Sequence, residues 1–90
     1  MLELSIIKYK ASWCGNCKML TKVLDIIKPK FPQIKFSEVD VDDQKELASS
    51  ANVTTIPALY FYQDGQKIGE SLGVLPPEKL TDKIKRTFHI

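Results

Sequence analysis

The sequence predicts an α/β fold in the order βαβ, then α, then a β-hairpin, then α. Three observations carry that reading. An apolar, strand-like run from Leu2 to Tyr9 leads through Cys14-Gly15-Asn16-Cys17 into a segment whose apolar residues recur at steps of three and four. Downstream, Ala58-Leu59-Tyr60-Phe61-Tyr62 is strongly β-prone and is followed by Asp64-Gly65, the dipeptide of a tight hairpin. Behind the hairpin, Leu80, Ile84 and Phe88 step by four.

Taken in order, residues 2–9 form a strand that turns apolar on both faces at Ile6 and Ile7, as a central strand does. The first helix aligns Cys17, Leu20, Leu24 and Ile27 on its core face, with Phe31 either continuing the stripe or belonging to the exit loop. Pro29 stops the helix, since it disfavours helical geometry at Lys28 before it. Ile34 to Val41 is the second strand. Asp43 and Glu46 have the spacing of a capping box and start a short helix through Ala51, which Asn52 ends in left-handed geometry. Ala58–Tyr62 and Lys67–Leu72 pair as antiparallel neighbours. Gly73 and Val74 link them to a last helix opened by Pro76 and Pro77, whose polar face carries Lys79, Asp82, Lys83, Lys85 and Arg86 as a solvated surface. His89 reads as a frayed end without a role.

Composition narrows the function classes. Ninety residues make one domain, 1–90, and a 43% apolar, 27% charged chain has enough of both to fold around a modest core. The net charge of +2 is spread along the chain, which gives neither a nucleic-acid footprint nor a patch for acidic substrates. The N-terminus has no basic leader and its apolar run is broken by Glu3 and Lys8, so neither a signal peptide nor a membrane span is expected. Both cysteines lie in the Cys-x-x-Cys motif, leaving none for a structural disulfide and pointing to a reducing compartment, the cytoplasm.

The chemistry is carried by Cys14 and Cys17. At a helix N-terminus, free backbone N–H groups and the helix dipole favour a thiolate at Cys14. Cys17, one turn deeper on the buried stripe, is placed to resolve a mixed disulfide, and the pair reads as dithiol-disulfide exchange chemistry. Two other readings compete. With two Cys and a distant His89, a zinc site within one chain lacks ligands, although a metal shared between chains stays open. Inert packing of the pair is the second.

Trp13-Cys14-Gly15-Asn16-Cys17-Lys18, followed by Ile56-Pro57, a hairpin and Gly73, resembles the thioredoxin family over nearly the whole chain. The resemblance implies the compact thioredoxin fold, a four-stranded mixed sheet with helices on both faces, in a minimal form without the extra N-terminal strand and helix. It implies reduction of protein disulfides through a Cys14/Cys17 cycle, with no cofactor beyond that disulfide. Pro57 corresponds to the family's cis-proline. Trp13, Gly15, Ile56, Gly73 and Val74 correspond to a shallow apolar patch where an extended substrate segment docks on the backbone of Ile56. A monomer recharged by a thioredoxin-reductase-type flavoprotein is the expected arrangement. Glutaredoxin chemistry is the nearest rival, but Leu72-Gly73-Val74-Leu75-Pro76 lacks a glutathione-binding turn. A redox-switched adaptor is the non-enzymatic alternative.

Four positions depart from the family pattern. Asn16 stands where proline is usual, leaving a backbone donor near Cys14 that favours the reduced form. Lys22 replaces a helix-kinking proline, so a straighter helix is expected. Lys8 occupies the place of a buried aspartate, and Glu38 on the next strand that of a lysine. Period-two alternation puts Lys8 and Glu38 on facing positions beneath Cys17. Glu38 is then the expected base for the resolving cysteine and Lys8 the group that positions it and favours the thiolates, the plain alternative being two exposed strand-end charges.

Overall fold

Alternation along the first strand decides the layering. In the computed structural model, which describes residues 2–90, β1 (Leu4–Lys10) turns Leu4 and Ile6 to one face and Tyr9 to the other. Met1, the first residue of the expected domain, lies outside the described residues. β1 pairs in parallel with β2 (Ile34–Asp40) and antiparallel with β3 (Ala58–Gln63), which pairs antiparallel with β4 (Gln66–Leu72). The order β2-β1-β3-β4 makes a four-stranded mixed sheet with β1 inside it. That position explains why β1 is apolar on both faces.

Leu4, Ile6, Ile34, Leu59 and Phe61 meet α1 (Gly15–Ile27) and α3 (Pro77–Phe88) on one face. The stripe Cys17, Leu20, Leu24 and Ile27 is buried as its spacing requires, and Leu80, Ile84 and Phe88 cover the rest. Removing each such side chain from water contributes about 1.5–3 kcal/mol. α2 (Lys45–Ser50) lies on the opposite face, where Tyr9, Val39, Ala58 and Tyr60 form a second, smaller core. Helices on both faces leave the C-terminal edge of β1, where α1 begins, as the open end of the sandwich.

Several local expectations are corrected. Lys28 keeps right-handed helical geometry, and Pro29 falls inside a single 3-10 turn, Lys28–Lys30, where a missing N–H costs little. Phe31 takes the second of its two expected places, the exit loop, and is buried in the core from there. The Asp43–Glu46 capping box does not form: α2 is entered through Gln44 with no side-chain cap. Asp40 instead closes the turn before α2, its Oδ1 accepting from Asp42 N at 2.9 Å and Asp43 N at 3.2 Å. His89, read as frayed, is the left-handed C-cap of α3 and donates its N–H to Lys85 O.

Other turn chemistry follows the sequence. Asn52 is left-handed at φ 56°, and Asp64 and Gly65, at φ 51° and 84°, make the primed turn that matches strand twist. Asp64 also ties the hairpin to the chain before β1, its Oδ1 accepting from Glu3 N at 2.8 Å. Gly69 lets α3 close on β4, since a Cβ there would sit 2.9 Å from Thr87 Cγ2.

Candidate active site

The turn from β1 into α1 is closed by Cys14 N–H donating to Ala11 O at 3.2 Å. Cys14 is the N-cap of α1, in extended geometry, and its Sγ accepts from the Cys17 N–H at 3.1 Å. A thiol ordinarily caps poorly. Here the sulfur occupies the place of a capping oxygen, where positive partial charge is concentrated. Cys14 and Cys17 are joined as a disulfide with Cα atoms 5.3 Å apart. Both are buried, packed with Ala11 and flanked by Val41 and Ile56.

The other expected site residues divide by position. Ile56 precedes a cis peptide bond to Pro57, and Pro57 O accepts from Gly73 N at 2.8 Å, so the two loops beside the disulfide are pinned together. Gly73 has φ 81°, a conformation that glycine adopts without strain. Val74 is half-buried and packs against the α1/α3 core. Trp13 is 70% exposed, its indole N–H held by Asp42 Oδ2 at 2.7 Å. Gly15 is exposed and has open space where a Cβ would be. Asp42 was missed by sequence reasoning, because its partner lies 29 residues away and only the fold joins them.

Lys8 and Glu38 face each other in the β1–β2 register, with Lys8 Nζ 3.9 Å from Glu38 Oε2. The reading of two exposed charges holds for only one of them: the Lys8 side chain is 4% exposed and that of Glu38 55%. Both line a cavity of about 240 Å³ with Ile6, Leu24, Phe36 and Leu59. Lys8 Nζ donates to Thr21 Oγ1, which donates to Cys17 O at 3.1 Å. Thr21 had no signal in the sequence. Burial lowers the Lys8 pKa from its ordinary 10.5, opposed first by the Glu38 carboxylate. Among the described residues, no cluster of three or more His, Cys, Asp or Glu side chains could hold a metal, and no helix is long and apolar enough to cross a membrane.

The sequence profile of the thioredoxin family matches residues 2–86. Thioredoxin of Oryctolagus cuniculus is 39% identical over 71 residues, which cover 79% of this chain and 68% of the rabbit protein. Thioredoxin of Ophiophagus hannah is 36% identical over 84 residues, 93% of this chain and 79% of the relative. The chain belongs to the thioredoxin family.

Among solved thioredoxins, oxidised mitochondrial thioredoxin 3 of Saccharomyces cerevisiae superposes with a TM-score of 0.86 at 33% identity, covering 93% of this chain and 78% of its own. Thioredoxin of Trypanosoma brucei brucei gives 0.87 at 28% identity over 98% and 77%. Membership of this family, with two cysteines already joined at the start of α1, makes the protein a thiol-disulfide oxidoreductase. Thioredoxins act generally on protein disulfides, are reduced by thioredoxin reductase and need no cofactor beyond their redox-active disulfide. Among the described residues, Lys8 is the charged side chain that the fold buries.

Proposed function

We propose that this protein reduces disulfides in other proteins, with Cys14 as nucleophile and Cys17 as resolving thiol. The observation that carries the assignment is that Cys14 caps α1, while Cys17 lies on the helix's buried stripe. The Cys14 thiolate attacks one sulfur of the substrate disulfide, forming a mixed disulfide and releasing the other sulfur as a thiolate. Cys17, deprotonated, then attacks Cys14 Sγ. The second substrate sulfur leaves with the electron pair, and two electrons have passed to the substrate. Exposed Trp13 and Gly15, with Ile56, Pro57, Gly73 and Val74, form the docking edge, where the backbone of Ile56 pairs with an extended substrate segment.

Glu38 receives the Cys17 proton through the cavity it shares with Lys8, and Lys8 favours the thiolates by its charge. The same reading takes residues 1–90 as one domain, monomeric and cytoplasmic, recharged by a thioredoxin-reductase-type flavoprotein rather than by glutathione. It is supported by a cysteine pair with no other cysteine beside it and by the absence of a glutathione-binding turn at Leu72–Pro76. Catalytic amounts of the protein are expected to accelerate insulin reduction by dithiothreitol, and Cys14→Ser to abolish the effect. No acceleration by the parent would leave the adaptor reading. Efficient turnover driven by glutathione would overturn the choice of reductase.

A further inference from the structure

Buried Lys8 reaches the helix that carries the cysteines through one residue, Thr21. The Thr21 hydroxyl has a single proton, and the Cys17 carbonyl takes it at 3.1 Å. Toward Lys8 the same oxygen can therefore only accept, and Lys8 Nζ donates to it. An acceptor fixed in this way favours an ammonium over a neutral amine, because charge-assisted hydrogen bonds are the stronger ones.

The charges around Lys8 leave room for such a contribution. Glu38 of β2, 3.9 Å away, and Asp25 of α1 favour the ammonium, whereas Lys10 of β1 and Lys28 at the end of α1 oppose it. From β3 the cavity receives only Leu59, and from β2 also Phe36 and Ser37, none of which titrates in this range. Burial is the largest influence and acts against the charge. Glu38, more than half exposed, is partly screened by water, so the contact with Thr21 is the close one.

We propose that Thr21 is a positioning residue that holds the Lys8 side chain as a charged ammonium one helical turn from Cys17, favouring the thiolate with which Cys17 resolves the mixed disulfide. The inference rests on the assignment of Cys17 as resolving thiol. In the step concerned, the Cys17 sulfur gives up its proton to Glu38, the acceptor assigned above, and forms a bond to Cys14 Sγ. The bond from Cys14 to the substrate sulfur breaks, and the electron pair leaves with the substrate.

Thr21→Val removes the hydroxyl and keeps the shape, and Thr21→Ser keeps the hydroxyl. Position 21 is exposed, so neither change opens a core void. In the oxidised full chain the cysteines do not titrate, and an NMR titration of the Lys8 Cε resonance reads that amine alone. Thr21→Val is expected to lower the midpoint and Thr21→Ser to restore it. In the reduced protein, Thr21→Val is expected to slow mixed-disulfide resolution about threefold near neutral pH, with the first attack unchanged and Thr21→Ser at the parent rate. A parent-like Lys8 midpoint in Thr21→Val overturns the proposal, as does a shifted midpoint with an unchanged resolution rate, or a Thr21→Ser that behaves like the valine variant. The underlying assignment fails separately: Cys17→Ser would then not accumulate a mixed disulfide, whatever the Lys8 titration shows.

Discussion

Lys8 and Glu38 stand opposite each other on β1 and β2, 3.9 Å apart at their charged ends, one side chain sealed in the sheet and the other open to water. The pair is therefore unequal. Glu38 is solvated by water with or without its partner, whereas losing Glu38 would strip the buried ammonium of its main opposite charge, so the cost of breaking the pair falls on Lys8. Lys8 is tolerated because its ammonium ends in a cavity supplied with Thr21 and Glu38.

Lys8→Met is the direct probe of that arrangement. With its folded pKa below the ordinary 10.5, Lys8 binds fewer protons folded than unfolded across the interval between the two values. Stability contributed by this group therefore rises as pH climbs through the folded pKa and falls as pH drops through it. Lys8→Met should flatten that alkaline rise in urea-unfolding midpoints. Loss of the cation should also raise the pKa of Cys14, read from thiolate absorbance against pH. An unchanged titration would show that the charge does not reach the thiol.

Glu38→Gln removes the proton acceptor, and its charge, while keeping the side chain's size. It should slow resolution of the mixed disulfide and leave the first attack by Cys14 largely intact, as followed by stopped-flow turnover of a disulfide substrate. Resolution at the parent rate between about pH 6 and 8 would remove the carboxylate from the mechanism and leave solvent as the acceptor.

Asn16 bears on the potential. In the oxidised structure, the backbone donor on Cys14 Sγ is Cys17 N, while Asn16 is exposed within the motif. Asn16 retains an N–H that proline lacks, so the reduced form gains a donor and the potential should lie above the roughly −270 mV typical of thioredoxin, by tens of millivolts at most. Asn16→Pro should lower it. Equilibration with a glutathione couple measures both, and a parent value at or below that of thioredoxin rejects the idea.

Trp13 depends on Asp42 for its orientation. Asp42→Ala leaves the indole N–H without its 2.7 Å partner and frees a ring that is 70% exposed. KM for a protein disulfide should rise about fivefold, equivalent to about 1 kcal/mol, with reduction of a small disulfide unaffected. Equal losses on both substrates would place Asp42 in the chemistry instead.

Gly69→Ala tests the packing of α3. The added Cβ meets Thr87 Cγ2 at 2.9 Å and Phe61 Cδ2 at 3.3 Å, so α3 must shift or the side chains must rearrange. A loss of about 1–3 kcal/mol is expected in chemical denaturation. Gly69→Ala combined with Thr87→Ser, which removes the clashing methyl, should recover part of it.

The legible parts of this chain are those with local or periodic causes. Cys17, Leu20, Leu24 and Ile27 announce a buried stripe by spacing alone, and Asp64-Gly65 announces its turn because few residues accept positive φ. The Lys8–Glu38 facing was readable from alternation, but their unequal burial was not, since that depends on how far α1 overhangs each strand. Asp40 and Asp43 show how a correct residue type misleads: Asp43 has the spacing to cap α2, but its own N–H is taken by Asp40 in the preceding turn and α2 starts at Gln44 without a side-chain cap. Thr21 and Asp42 act across elements, where sequence distance carries no signal.

The central place of β1 governs how this protein is made. Its two neighbours are β2 and β3, and β3 ends at Gln63, so an emerging chain carries an unsatisfied strand edge until Gln63 has been synthesised. The loop bearing Ile56 and Pro57, which shelters the cysteines, arrives in the same stretch. During translation the two thiols are therefore exposed before their cover exists.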